Sequence, residues 1–159
     1  MYVNVFYFKQ LNSIGGIETF FWQLGKKYGK EFDITVFYQI GDAEQVKRLS
    51  EYVRVKKYRT GQKIRCKRAF LCFNLDIIDN IEADEYWQML HGDYVSLGVY
   101  PDQHPKITKY ISVSEVVRKS YMIGKGEESI VSYNPFIPTK PRKVLMSMEE
   151  FENFLEAGY

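Results

Sequence analysis

What most constrains the fold of this chain is the alternation of short β-branched and aromatic runs with segments whose apolar residues recur at helical spacing. Tyr2 to Phe8 is β-branched and aromatic, with a continuous apolar character despite Asn4, the pattern of a strand buried on both faces near the middle of a sheet. After the polar turn Lys9 to Gly16, Ile17, Phe20, Phe21, Leu24 and Tyr28 lie on one helical face, and Gly29 offers a stop. Asp33 to Tyr38 then reads as a strand, Asp42 to Glu51 as a short helix opened by an acid, and Tyr52 to Tyr58 as a third strand. The alternation continues with a strand from Ala69 to Phe73, a short helix from Asp76 to Ala83, and strands from Tyr86 to Leu90 and from Tyr110 to Val113. Ser112 and Glu115 stand at capping-box spacing before a helix that carries Val116, Val117, Ser120 and Tyr121 and stops near Gly124, and Ile130 to Tyr133 closes the series. This order predicts an α/β fold, a Rossmann-like, doubly wound, mostly parallel sheet in a three-layer α/β/α arrangement. Its ligands would bind outside the carboxyl ends of the strands. Gly15, Gly16, His91 and Asn134 fall at those ends.

The chain divides unevenly. Residues 1–137 form the predicted Rossmann-like domain, and Pro135, Pro138 and Pro141 begin an extended connector over 138–146 that cannot be helical. Within it, Val144 to Met146 has the character of a short strand. Residues 147–159 read as an acidic helix with Phe151, Phe154 and Leu155 on one face, too short for a second domain. With 159 residues, 45% of them hydrophobic and 26% charged, the composition is that of one globular domain and excludes a disordered, collagen-like or coiled-coil chain. No apolar run reaches the roughly 18 to 20 residues that span a bilayer, and the opening MYVNVFYFKQ lacks the features of a secretory leader, so a cytoplasmic location is expected. The two cysteines, Cys66 and Cys72, are expected to be reduced and half-buried, and with His91 and His104 they match no zinc spacing, so no metal site is expected.

Several features bear on chemistry. Gly15-Gly16 lies between a buried strand and a helix start, where backbone N–H groups and the helix dipole can hold an anion; a tight turn that merely needs glycine is the alternative. His91 follows an apolar strand and precedes Gly92-Asp93, which places it in the crevice as a hydrogen-bonding group for a sugar hydroxyl or phosphate, or else as a satisfied structural histidine. Glu18 suits the positive end of the first helix and reads as structural. Arg54, Lys56, Lys57, Arg59, Lys63, Arg65, Lys67 and Arg68 fall in one stretch with no acid among them, despite a net charge of only +2. They form either a solvated face or a docking surface for an acceptor or for anionic lipid, as a peripheral contact at the inner face of the membrane. Because Glu149, Glu150, Glu152 and Glu156 reverse the sign in the tail, nucleic acid is not an expected partner. The dinucleotide fingerprint, the P-loop, the nucleophile elbow, H-E-x-x-H and D-x-D are all absent from the sequence.

Taken in order, N-S-I-G-G-I-E-T after the first strand, H-G-D-Y after a middle strand, and I-S-V-S-E-V-V-R-K followed by I-V-S-Y-N-P-F resemble the amino-terminal half of family 4 retaining glycosyltransferases of the glycosyltransferase B fold. The resemblance covers about residues 2–146. It implies that Gly15, Gly16 and Asn134 approach the diphosphate and sugar of a nucleoside-diphosphate sugar, that His91 acts at the reaction centre, and that no cofactor is needed. The acceptor would be a glycan or a lipid-linked sugar, with cell-surface polysaccharide synthesis as the setting. Here Tyr133-Asn134-Pro135 stands where the family has P-N-G, and the family's second, donor-binding domain with its E-x7-E motif has no counterpart in these residues. The resemblance therefore implies an acceptor-side domain with little or no activity alone. The alternatives are a noncatalytic sugar- or phosphate-binding module, one subunit of a split glycosyltransferase, and a flavodoxin-like binder of free nucleotide.

Overall fold

The computed structural model describes residues 1–12, 15–135 and 137. The expected connector, the short strand from Val144 to Met146 and the acidic helix over 147–159 lie outside the described residues. Seven strands form one sheet: β1 (Tyr2–Tyr7), β3 (Ile34–Tyr38), β5 (Arg54–Lys57), β6 (Ile64–Cys72), β7 (Ile81–Leu90), β8 (Lys109–Ser112) and β9 (Ile130–Val131). Their spatial order is β5-β3-β1-β6-β7-β8-β9, and every neighbouring pair is parallel. Two further two-residue strands, β2 (Gln10–Leu11) and β4 (Ile40–Gly41), pair in parallel just beyond the ends of β1 and β3. The helices are α1 (Gly16–Tyr28), α2 (Ala43–Ser50), α3 (Tyr94–Leu97) and α4 (Glu115–Lys125). The chain is thus an α/β protein with a Rossmann-like, doubly wound sheet, and none of its described helices is long and apolar enough to cross a membrane.

Two cores, one on each face, show how the sheet is wound. Phe20 and Phe21 of α1 and Leu49 of α2 pack with Phe6, Ile34 and Val36 on one face. On the other, Tyr94 of α3 and Val117 and Tyr121 of α4 pack with Val5, Tyr7, Leu71, Leu90 and Tyr110. Ile77 and Ile78, from the connection after β6, join this second core. The chain therefore leaves β1 toward one face and β6 toward the other, although the two strands are hydrogen-bonded neighbours. A reversal of this kind opens a crevice at the carboxyl edge.

Several local expectations are corrected. The helix foreseen from Asp76 to Ala83 is a single 3-10 turn at Ile78–Asn80, and Ile81 and Ala83 belong instead to β7, where they pair with Ile64 and Cys66. The strand foreseen from Ala69 to Phe73 begins at Ile64, so three of the eight basic residues, Arg65, Lys67 and Arg68, lie within β6. Ser114, not Ser112, caps α4 by accepting a hydrogen bond from Val117 N, while the Ser112 hydroxyl meets that of Ser129. The helix ends at Gly126, whose φ of 70° is the left-handed conformation that suits glycine, rather than at Gly124. Both cysteines are free and fully buried, and burial pushes the Cys66 thiol up to about 11.

Alternation along the central strands contains one shared irregularity. In β6 the residues facing the second core are Ile64 and Cys66, then Ala69 and Leu71; in β7 they are Ile81 and Ala83, then Tyr86 and Leu90; in β1 they are Tyr2, then Val5 and Tyr7. Each strand gains one residue at the same level, where Val3, Lys67 and Asp84 interrupt the ladder pairings, and the register on either side is unchanged. The Tyr86 hydroxyl binds the backbone at this point, accepting from Ala83 N and donating to Ile81 O.

Tyr121 anchors α4, with ring centroids 5.9 Å from Tyr94 and 5.4 Å from Tyr110 and no exposed surface. Tyr121→Ala should destabilise the fold by about 3–5 kcal/mol. Ile123→Ala, at a position 75% exposed on the same helix, should change stability by less than about 0.5 kcal/mol. Urea denaturation of the two variants checks the contrast.

Candidate functional site

At the reversal between β1 and β6 lies a cleft of about 700 Å³. Residues from seven segments reach it: Phe8 to Gln10 and Asn12 after β1, Gly16 and Ile17 opening α1, Phe73 and Asn74 after β6, Met89, His91 and Gly92 around the end of β7, Tyr94 and Leu97 on α3, Val113 after β8 and Asn134 after β9. Of the residues read from the sequence as site residues, Gly16, His91 and Asn134 are brought together here. Gly15 stands next to Gly16 but does not line the cleft.

The two glycines differ physically. Gly15 has an extended backbone open to any residue, and a Cβ there would collide with the Glu18 carboxylate. That carboxylate turns back to accept from Asn12 N at 3.0 Å and is buried, which ties the loop after β1 to the first turn of α1. Gly15 thus makes room for Glu18. A Cβ on Gly16 would meet nothing within 4 Å, so the position opens directly onto the cleft. Among the described residues no side chain caps α1, and its positive end faces the cleft through Gly16 and Ile17.

The segment His91-Gly92-Asp93-Tyr94 divides its tasks. Asp93 caps α3, accepting from the Ser96 hydroxyl at 2.6 Å and from Ser96 N at 3.4 Å. The Tyr94 hydroxyl accepts from His91 N at 3.1 Å, and a Cβ on Gly92 would press to 2.9 Å from the Tyr94 ring. The His91 ring sits edge-on to Phe20, 5.2 Å between centroids, and its Nε2 is buried with no hydrogen-bond partner among the described residues. Desolvation lowers its pKa to about 4, so the imidazole is neutral at pH 7 and offers a hydrogen bond rather than a charge.

Sequence reasoning missed part of this wall. Lys9 brings a cation to the cleft and is held by Asp76 at 3.1 Å, which also accepts from the Tyr7 hydroxyl at 3.0 Å. Phe73 lines the cleft with φ of 65°, a left-handed conformation costly for a bulky residue. Placing the end of β6 at Cys72 would have put Phe73 and Asn74 at the same edge as His91, but the sequence reading carried the strand through Phe73. His104 lies away from the cleft, with Asp79.

The basic stretch is distributed across the sheet. Arg54 pairs with Asp33 at the amino end of β3, Lys56 donates to the Tyr2 hydroxyl, Lys63 reaches Asp79 O, and Arg65 and Arg68 pair across to Glu82 and Glu85 of β7. Folding therefore supplies carboxylates that the stretch itself lacks. Lys56, Lys57 and Arg59 gather at the carboxyl end of β5 around a separate hollow, and Lys67 stands exposed at the sheet irregularity. Among the described residues no group of three or more His, Cys, Asp or Glu is placed to hold a metal ion.

The unfolded chain holds His91 near the ordinary histidine value of about 6.5, and the folded chain holds it near 4. The unfolded state therefore binds the extra proton between these values. The histidine's favourable share of stability is complete above pH 6.5 and is lost as pH falls toward 4. Proton NMR titration should give a His91 pKa of about 4; a value near 6.5 would contradict its burial. No family model, curated protein or solved structure matches this chain, so its activity must be sought in the chemistry of the cleft itself.

Proposed function

We propose that residues 1–137 form the acceptor-side wall of a retaining glycosyltransferase, which moves a sugar from a nucleoside-diphosphate donor to a glycan or lipid-linked acceptor. The observation that carries the reading is the meeting, in one cleft, of Gly16 at the uncapped start of α1 and His91 with its unpartnered Nε2. The backbone N–H groups there and the Lys9 ammonium suit a diphosphate, and neutral His91 suits a sugar hydroxyl. The ordered motifs described in the sequence support the same assignment. Lys57 and Arg59, exposed near the carboxyl end of β5, are suited to a cytoplasmic membrane surface that presents a lipid-linked acceptor.

One observation favours a second reading, a noncatalytic sugar- or phosphate-binding module. None of the described residues lining the cleft is acidic, so this wall supplies no carboxylate to act as nucleophile or base. Under the leading reading, charge stabilisation at the transferred sugar comes in part from a second wall, in another domain or another chain. The two readings separate on whether such a partner restores transfer.

Residues 1–159 alone should bind nucleoside-diphosphate sugars weakly and turn none over. Titration of the ¹⁵N-labelled chain with a panel of these sugars, free nucleoside diphosphates and inorganic phosphate should shift the amides of Gly16 and His91. Gly16→Leu projects into open space, so it should leave the melting temperature unchanged while weakening binding at least tenfold. Undiminished binding by this variant, or shifts mapping elsewhere, would sink the proposal. Submicromolar affinity for a free nucleotide would favour the flavodoxin-like alternative.

A further inference from the structure

The face that carries α1 and α2 is covered over β5, β3 and β1, but no described helix lies over its other half. Residues there pair in register into a cross-strand row of Phe6, Phe70, Trp87 and Lys109. Phe6 and Phe70 stack at 4.5 Å and 11°, Phe70 and Trp87 at 6.0 Å and 28°, and the Lys109 ammonium lies 4.6 Å from the centroid of the Trp87 ring. Phe70, Trp87 and Ile111 remain half-buried. Beside the row runs a groove of about 460 Å³, floored by Phe70, Met89 and Ile111 and walled by Leu24 and Tyr28 of α1, with Tyr133 on its far side.

The geometry of the row narrows the choice of occupant. Both faces of Phe70 are taken by neighbouring rings, and Trp87 lies between Phe70 and Lys109, so only ring edges point outward. A nucleobase or sugar ring needs a free aromatic face, whereas apolar side chains pack well against ring edges. The chain itself arrives at this place, because Ser132 to Pro135 line the groove. The next residues lead through the proline-containing connector to 147–159, where Phe151, Phe154 and Leu155 share one helical face and Glu149, Glu150, Glu152 and Glu156 supply negative charge. Lys27 stands at the rim of the groove and meets no carboxylate among the described residues, its ammonium lying 5.2 Å from the Tyr28 ring. Eleven residues of connector, 136–146, can reach roughly 36 Å when extended, and a helix over 147–159 would be about 20 Å long, enough to cross β6, β7 and β8.

We propose that residues 147–159 fold back as an amphipathic helix over this half-face, with Phe151, Phe154 and Leu155 in the groove and the glutamates toward Lys27; Lys109 is already paired with Glu85 at 2.6 Å. The inference holds whatever the cleft binds. It is tested on the full chain carrying Trp22→Phe, which leaves Trp87 as the one tryptophan. In that background Trp87 emission should be blue-shifted and poorly quenched by acrylamide, independent of protein concentration, with the chain monomeric on sedimentation. Phe151→Asp with Phe154→Asp should shift the emission to the red and raise the quenching constant at least twofold. Lys27→Glu, which leaves the apolar contacts in place, should raise quenching at low salt and less so at high salt. Unchanged quenching in both variants would overturn the proposal. So would a dimer whose dissociation alone exposes Trp87, since the occupant would then be a second copy.

Discussion

Backbone hydrogen bonding between β1 and β6 joins two runs of parallel strands that wind away from each other, and this reversal creates the opening that the cleft residues share. A parallel strand has to be followed by a crossover on one face or the other. After β1 the chain crosses with α1, and after β6 it crosses on the opposite side through Ile77 and Ile78. The ends of the two strands are therefore not roofed by the same connection. Lys9, Gly16, Phe73 and His91, far apart in sequence, come to one place because parallel strands end together.

Around the cleft, polar groups are of two kinds. Glu18, Asp76 and Asp93 spend their oxygens on the protein itself: on Asn12 N, on Lys9 and Tyr7, and on Ser96. They fix the walls, and among the described residues no carboxylate lines the opening. His91 is the opposite case. Its backbone N–H is satisfied by Tyr94, which sets the position of the residue, while its ring nitrogen Nε2 is buried and unmatched. A buried polar atom without a partner is costly, and the cost is offset when a ligand supplies the missing group. The left-handed Phe73 at the same edge is a second local expense in the same small volume.

The architecture was legible in the sequence because strands buried on both faces, such as β1 and β3, announce themselves as apolar runs broken only by Asn4 and Thr35, and α1 and α4 carry clear helical stripes. Gly16, His91 and Asn134 were legible as neighbours for the same reason, since topology alone sends strand ends to one edge. Illegible parts lay where one side of a strand is charged. The amino-terminal halves of β6 and β7 read I-R-C-K-R and I-E-A-D-E, which resembles a solvated basic loop and a short acidic helix until the two are laid side by side and Arg65 meets Glu82. Neither segment carries that signal alone. The cap at Ser114 in place of Ser112 is a subtler case: both serines have the chemistry, and the choice depends on where β8 ends, which pairing with β7 decides.

The irregularity shared by β1, β6 and β7 limits how the chain can change length. Removing the extra residue from β6 alone would keep Ile64 and Cys66 in alternation with Ala69 and Leu71, but it would set Ile64 opposite Glu82 and Arg65 opposite Ala83, out of phase with β1 and β7. The same holds for a loss at Val3 or Asp84 alone. The three positions are coupled through hydrogen-bond registers rather than side-chain contact, so they can be lost only in concert. Descendants of this chain should vary freely in the identities of these residues and hardly at all in the lengths of the three strands.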